Sequence, residues 1–279
     1  MKAAAFDYLR AATIEEAAEA SAGANTAVLA GGQSLVPLLN MRLARPSLLV
    51  DINHLTDLSY LRRDNGNLVI GAMTRHRAAE TSALAGQDVP LLTAALGHVG
   101  HVSIRNRGTV GGSLAHADPA AELPAVAVAL DASLRAQSAH GVRDIAARDF
   151  FVGPNRTALR PGELLVSVSF PVLQAGFSVQ ELAFRGQDLA LVLVVAAVTV
   201  EDGHCTQARI AVGGAGPTPI RATSVEQALV GRALTDALIT EAAAELSCDP
   251  PDSIHAPASY RREMATVLTR RAIRTAVHP

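Results

Sequence analysis

The sequence predicts an α+β fold in two parts, the second a smaller region of antiparallel sheet with helices. Three observations carry this. Strand-like and helix-like stretches come in blocks rather than in regular βαβ alternation. Strand-like segments recur at 164–170, 177–184, 191–200 and 207–212, a spacing that suggests an antiparallel sheet. The last third then turns helical. With 279 residues and 49% hydrophobic content the chain can bury a large core, enough for one large or two modest domains.

Taken in order, Thr13-Ile14-Glu15-Glu16 fits a capping box, with Thr13 as N-cap and Glu16 reaching back, so a helix starts there. Residues 25–30 read as a short buried strand that ends in Gly31-Gly32-Gln33-Ser34. Residues 35–43 look helical, with Pro37 confined to an early turn. Residues 48–52 form a second apolar strand, and 68–70 a third after the Asn65-Gly66 turn. A helix over 90–99 leads to a basic, glycine-containing loop over 103–112. Residues 120–130 are apolar, alanine-rich and helical. After the four later strands, 225–229, 236–246 and 260–276 have helical patterns, the last with Tyr260, Met264, Val267 and Leu268 on one face. A domain boundary is expected between Pro171 and Gly176, giving domains 1–173 (lobes about 1–53 and 54–173) and 174–279.

Several function classes fall away. A net charge of −2 gives neither sign dominance, so neither nucleic acid nor an anionic membrane surface is an expected partner. The one long apolar run, 189–200, is too short to span a bilayer and reads as a buried strand. Asp7 and Glu15 interrupt the N-terminal stretch and no signal-peptide apolar region follows, so a cytoplasmic location is expected. Cys205 and Cys248 are the only cysteines. A disulfide framework is excluded, as is a self-contained iron–sulfur cluster, which normally needs four thiolates.

Three segments carry chemistry. In Val28-Leu29-Ala30-Gly31-Gly32-Gln33-Ser34-Leu35 an apolar strand runs into two glycines, a polar pair and a helix start. Glycines let backbone approach a ligand, successive amide N–H groups form an anion site, and Ser34 adds a hydroxyl. The plainer reading is a tight strand-to-helix turn. Arg105-Asn106-Arg107-Gly108-Thr109-Val110-Gly111-Gly112-Ser113 repeats the logic, with a glycine pair, flanking hydroxyls and amides expected to be free. Arg105 and Arg107 either add positive charge there or are solvated loop residues. Two such cradles suggest a ligand with two phosphates. The third segment is His116-Ala117-Asp118-Pro119-Ala120-Ala121-Glu122-Leu123-Pro124. Asp118 fits an N-cap with Pro119 at N1, and Glu122 faces either ligand or solvent. His98, His101 and His116 with Asp118 make a metal set on paper, but Gly100 and a helix end separate the first two histidines.

Generic devices are missing. No Walker P-loop occurs. Gly214-Ala215-Gly216 begins a Rossmann fingerprint, but Pro219 stands at the third glycine. Gly32-Gln33-Ser34-Leu35-Val36 lacks the closing glycine of a nucleophile elbow.

The three segments in this order resemble the FAD-binding medium subunit of the molybdenum hydroxylases, the xanthine dehydrogenase and carbon monoxide dehydrogenase flavoprotein family. The resemblance covers essentially the whole chain and continues in Val212-Gly213-Gly214-Ala215 and from Tyr260-Arg261-Arg262 to Arg271-Ala272. It implies a two-part FAD-binding domain of the vanillyl-alcohol-oxidase (PCMH) type, then a smaller C-terminal domain of antiparallel sheet plus helices. It implies FAD held by Val28 to Leu35 and by Thr109, Val110, Gly111, Gly112 and Ser113, with Ala117 and Asp118 beside them. It further implies Glu122 against the flavin or its ribityl chain. Leu189, after Asp188, matches a position that often lies against the isoalloxazine, where several relatives carry an aromatic residue. Gln33 stands where some relatives have His. With no tryptophan and few aromatics, a flavin here would sit between backbone amides and aliphatic side chains.

The resemblance implies an electron-transfer subunit with no catalytic side chain of its own. Molybdopterin would sit on a large partner subunit and 2Fe-2S clusters on a small one, and an external acceptor would take the electrons. The expected assembly is a dimer of heterotrimers. A stand-alone flavoprotein oxidase or reductase, with His116 as the residue to watch, and a non-enzymatic nucleotide-binding module are the rival readings.

Overall fold

The computed structural model describes residues 2–278. The chain opens with a small parallel sheet of order β1-β3-β2, made by β1 (Asp7–Arg10), β2 (Thr26–Leu29) and β3 (Leu48–Asp51). Helices α1 (Ile14–Ser21) and α2 (Leu35–Asn40) connect them. The α1 cap forms as expected at Thr13, whose Oγ1 accepts from Glu16 N–H at 3.1 Å. Glu16 reaches back one residue further than expected, to Ala12 N–H at 2.6 Å. Because β2 and β3 are parallel and in register to Leu29 and Asp51, both strands deliver the chain to the same sheet edge.

The second unit begins with the hairpin β4 (Leu61–Asp64) and β5 (Asn67–Gly71). Asn65 and Gly66 both take positive φ in its turn, as the dipeptide predicts. Short helices follow: α3 (His76–Glu80), α4 (Ala83–Asp88), α5 (Pro90–Leu96), α6 (Val102–Arg105), α7 (Val110–His116) and α8 (Glu122–Ala129). Then come β6 (Ser133–Ser138), β7 (Gly141–Ala146), α9 (Ala147–Phe150), β8 (Phe151–Gly153), β9 (Arg156–Thr157) and β10 (Leu164–Pro171). The main sheet here is antiparallel, of order β4-β5-β10-β6-β7. The 164–170 strand therefore belongs to this sheet and not with the later strands, because residue alternation fixes a strand but not its partners. The stretch 103–112, expected as a loop, contains two helix ends, those of α6 and α7.

The third unit is an antiparallel sheet of β11 (Gly176–Ala183), β12 (Ala190–Glu201), β13 (His204–Gly213) and β14 (Ile220–Arg221), with α10 (Thr223–Leu229), α11 (Asp236–Ala244) and α12 (Ala258–Val277). Its strand β12 explains the long apolar run. Leu193, Val195 and Ala197 enter the core shared with α5 and α8. Val192, Val194, Ala196 and Val198 enter the core under α10, α11 and α12. A strand covered on both faces is apolar at every position. Helix α8 is buried along its full length for the same reason. The face expected for the last helix overlaps the buried one only in part, at Leu268 and, half-buried, Met264. Arg261, Ala265, Leu268, Thr269, Ala272, Ile273 and Ala276 face inward, while Tyr260 is 41% exposed. Small alanines let α12 approach the sheet closely, and an apolarity count passes over them in favour of larger residues. Among the described residues no helix is long and apolar enough to cross a membrane.

Candidate functional site: an amide cradle at the first glycine pair

Strand β2 ends at Leu29, and the following turn has a distinct polarity. Its carbonyls are satisfied from within the chain. Leu29 O accepts from Ile52 N–H at 3.1 Å and Ala30 O from Asn53 Nδ2 at 2.7 Å. Gly31 O accepts from Gln33 Nε2 at 3.1 Å and Gly32 O from Val36 N–H at 3.0 Å. The amides of Gly31, Gly32, Gln33, Ser34 and Leu35, by contrast, meet no acceptor among the described residues. Five consecutive amides left without acceptors, beside carbonyls bound within the chain, are the donors an anion site needs. Gly32 supplies the left-handed step, at φ +73°. The Ser34 side chain makes no capping bond to α2 and remains available.

Gly31 serves a different need. A Cβ there would stand 2.3 Å from Arg107 O and 2.8 Å from Gly108 Cα. The first two segments therefore touch, and a Cβ on Gly112 would lie 3.6 Å from the Ala30 Cβ. The second segment is not a second run of open amides, and that expectation is corrected. Val110 N–H is bonded to Thr74 O at 3.0 Å and Gly111 N–H to Ala72 O at 2.8 Å. Gly112 N–H donates to Thr109 Oγ1 at 3.1 Å, and Ser113 N–H to Thr109 O at 3.0 Å. The segment is the capped start of α7 docked against the exit of β5. Its glycines answer to packing: a Cβ on Gly111 would meet Ala72 Cβ at 2.4 Å. What it offers a ligand is the Ser113 hydroxyl and the Thr109 amide, which lacks an acceptor among the described residues. Arg105 is neither solvated nor available. It is buried, donating to Glu80 at 2.9 Å and to the carbonyls of Val99 and Gly100. Arg107 is exposed.

Residues outside the three segments hold the cradle in shape. Asn53 also donates Nδ2 to Asp51 Oδ1 at 2.7 Å, and its Oδ1 accepts from Arg75 Nη2 at 2.9 Å. Arg75 Nη1 in turn donates to Arg107 O at 2.9 Å. Tyr8 anchors the far end, donating to Asp51 Oδ2 at 2.5 Å. Burial pushes the Asp51 carboxyl up, but the hydrogen bonds from Tyr8 and Asn53 outweigh it and hold it below the usual range. One chain of bonds thus links the first segment's carbonyls to the second segment's backbone. His76 braces the second segment from behind. Its Nε2–H donates to Thr109 O at 2.8 Å, and burial pulls its pKa down to about 4, so it is neutral at pH 7. Asn53, Arg75 and His76 went unread in the sequence. The one available signal was the parallel pair of strands, which puts the residue after β3 beside the turn after β2.

The third segment follows from α7. Ala117 takes φ +51° as its left-handed C-cap. Asp118 does not cap the next helix. It forms a turn instead, Oδ1 accepting from Ala120 N–H at 2.9 Å, and α8 starts at Glu122. Glu122 faces the interior at 7% exposure, and burial raises its pKa to about 8, with repulsion from Glu181 and Asp118 adding to the shift. Val28 and Leu29 are half-buried β2 residues, and Leu35 opens α2. Leu189 sits on the β11–β12 turn, 64% exposed and packed into no core cluster. His98 approaches Glu181, with 3.5 Å between Nδ1 and Oε2.

Such a site binds by backbone donors and carries no nucleophile–base pair. Its open run of amides matches a pyrophosphate and asks for no lysine.

Comparison with known proteins agrees. Residues 4–173 match the family described as the FAD binding domain in molybdopterin dehydrogenase. Residues 177–276 match the CO dehydrogenase flavoprotein C-terminal domain. The chain is 42% identical to the 6-hydroxypseudooxynicotine dehydrogenase complex subunit alpha of Paenarthrobacter nicotinovorans, over 100% of this chain and 96% of that one. It is 36% identical to the glyceraldehyde dehydrogenase medium chain of Sulfolobus acidocaldarius, over 96% and 97%. A solved carbon monoxide dehydrogenase from Hydrogenophaga pseudoflava superposes with a TM-score of 0.97 at 31% identity, covering 100% of this chain and 99% of that one.

Proposed function

Since the chain belongs to the FAD-binding medium subunits of the molybdenum hydroxylases, we propose that it is the electron-exit subunit of such a complex. In this reading it takes electrons from 2Fe-2S clusters on a small partner chain and passes them to an external acceptor. A large molybdopterin-bearing partner carries out the hydroxylation, and the assembly is a dimer of heterotrimers in the cytoplasm. The observation that carries the reading is the run of five unspent amides from Gly31 to Leu35. It fits the pyrophosphate of FAD, which backbone amides can hold without a lysine.

In this reading Gly31, Gly32, Gln33, Ser34 and Leu35 hold the pyrophosphate by their amides, with Ser34 and Ser113 adding hydroxyls. Ala30, Thr109, Val110, Gly111 and Gly112 form the wall that fixes the distance between the two segments. Val28 and Leu29 support that wall, and Ala117, Asp118 and Glu122 lie along the remainder of the cofactor, with Leu189 at its exposed end. Bound FAD supplies redox chemistry that accepts electrons singly and releases them in pairs. The chain's two cysteines cannot supply an iron–sulfur cluster, so those electrons come from another chain. The sequence lacks a nicotinamide fingerprint, which favours a quinone, oxygen or a protein as acceptor.

The test is purification of the complex from its native host by a tag on this chain. The expected result is two further chains, one small and one large, flavin and iron–sulfur absorption, and bleaching of both by substrate under anaerobic conditions. A lone yellow chain that turns over substrate by itself would replace this reading with a stand-alone oxidase.

A further inference from the structure

The C-terminal helix carries a buried cation that the cofactor reading leaves unused. Arg261, near the start of α12, is only 8% exposed. Its Nη1 donates to Leu191 O at 2.7 Å and to Gly214 O at 3.3 Å, and its Nη2 donates to Ser253 Oγ at 2.8 Å. Its Nε has no partner. All its partners are neutral, and no carboxylate among the described residues pairs with it. Burying a cation among neutral groups is a poor way to gain stability. What this one gains is position. A single planar group fixes the start of β12, the loop after β13 and the loop before α12.

The loop after β13 reaches the other domain. Gly214 N–H donates to Pro119 O, in the third segment, at 2.8 Å. The fit is close on both sides of that bond. A Cβ on Gly213 would stand 3.2 Å from Pro119 O, and one on Gly214, where φ is +72°, would stand 2.6 Å from Leu191 O. The carbonyl that Arg261 grips is thus the one on which Gly214 rests. A cavity of about 490 Å3 is lined by Asp118, Pro119 and Ala120 and, from the C-terminal domain, by Gly216, Pro217 and Arg261. Where that cavity lies, the third segment is tied to the C-terminal domain by the Gly214–Pro119 bond and not by side-chain packing.

We infer that Arg261 is a positioning residue for the cofactor site. Through Gly214 it sets the place of the third segment, so the C-terminal domain completes a site that the N-terminal domain does not hold alone. This rests on the flavin reading above, in which Ala117, Asp118 and Glu122 lie along the cofactor. Arg261 touches no ligand in this role and acts only through Leu191 and Gly214. The planar fork is what the role needs. A lysine brings the same charge but lacks the fixed fork that spans two carbonyls and a hydroxyl.

The test compares Arg261→Met, Arg261→Lys and Ile273→Ala. Ile273 is buried on the same helix, away from these hydrogen bonds, so its variant controls for lost stability. Hydrogen exchange in the full chain without FAD reads residues 117–124 directly. Equilibrium release of flavin from the assembled complex gives its dissociation constant. Arg261→Met should speed exchange over 117–124 and raise the dissociation constant, each about tenfold or more. Arg261→Lys should move both in the same direction, because charge alone does not restore the fork. Ile273→Ala should leave both near their native values. If Arg261→Met does not fold, Arg261→Lys carries the comparison. Unchanged exchange in the folded arginine variants overturns the brace. Faster exchange with an unchanged dissociation constant overturns the role in the cofactor site, and so does an equal rise in Ile273→Ala. A native complex without flavin overturns the flavin reading, while the exchange result still decides whether Arg261 holds the segment.

Discussion

At the scale of single residues, the site depends on which way each backbone group points. Gly32 holds the left-handed step, and a Cβ there would sit 3.1 Å from Val36 Cγ2 and 3.2 Å from Leu29 Cδ1. Gly32→Val adds a left-handed β-branched residue, at a cost of about 1–2 kcal/mol or more, to the turn that leaves five amides without acceptors. The purified variant should lose most of its flavin, and unchanged flavin stoichiometry would remove the cradle from the site. Asn53→Ala removes the donor to Ala30 O and the acceptor for Arg75. Its expected effect is a flavin dissociation constant raised about 10- to 100-fold, from about 1–3 kcal/mol of unsatisfied polar groups. Equilibrium release of flavin fluorescence measures it. Glu122 gives a pH prediction. Its folded-state pKa, about 8, lies above its ordinary 4.5, so between those values the native chain holds a proton that the unfolded chain has released. Stability therefore falls as pH rises from about 4.5 to 8, by on the order of 2–4 kcal/mol. In the subunit without FAD, Glu122→Gln should flatten that fall, and an unchanged slope in chemical unfolding would contradict it. His76 tilts the other way. Its pKa is depressed to about 4 from 6.5, so its contribution is complete above pH 6.5 and is lost as pH falls towards 4.

At the scale of elements, the sequence was most readable where one local signal decides the outcome. The Thr13 N-cap, the Asn65-Gly66 turn and the twelve-residue strand β12 all form as their residues predict. The short helices α3, α4, α6 and α7 were hidden, because seven residues or fewer give little periodicity and tertiary contacts fix their ends. In the candidate site the first segment was legible from strand, glycine pair and hydroxyl. The Thr109–Ser113 segment read as its equal, because a glycine pair is the same in sequence whether it opens towards a ligand or packs against Ala72. Helix α12 shows the same limit. Its buried face is set by Ala265, Leu268, Ala272, Ile273 and Ala276 against the sheet, so the expected face shares Leu268 with it but misses the alanines and Ile273. Ala265→Leu should therefore cost about 1–3 kcal/mol by overpacking. Ile273→Ala should cost about 2–5 kcal/mol through the cavity it leaves. Tyr260→Ala, on the exposed face, should stay within about 0.5 kcal/mol. Denaturant midpoints order the three, and a large loss in Tyr260→Ala would put Tyr260 on the packed face.

At the scale of the whole molecule, two sequence families meet within one chain, yet the C-terminal sheet lends a face to each side. Leu193, Val195, Ala197 and Ala211 belong to the same buried cluster as α5, α8 and β10. Their neighbours on the other face close on α10 to α12. The seam is also pinned by charge. Arg209 and Arg221 both bind Asp131, at 2.8 and 2.9 Å, and they donate to the carbonyls of Leu130 and Val128 at the end of α8. Separating the parts would uncover a continuous apolar sheet face on one and the outer side of α8 on the other, so neither has a complete core alone. The subunit should accordingly unfold by calorimetry in one transition, with the calorimetric and van't Hoff enthalpies in agreement. A fragment starting at Gly176 should bind a hydrophobic dye that the full chain does not bind. Two resolved transitions, or a fragment that melts cooperatively and binds no dye, would mean that the seam is an interface between independent domains.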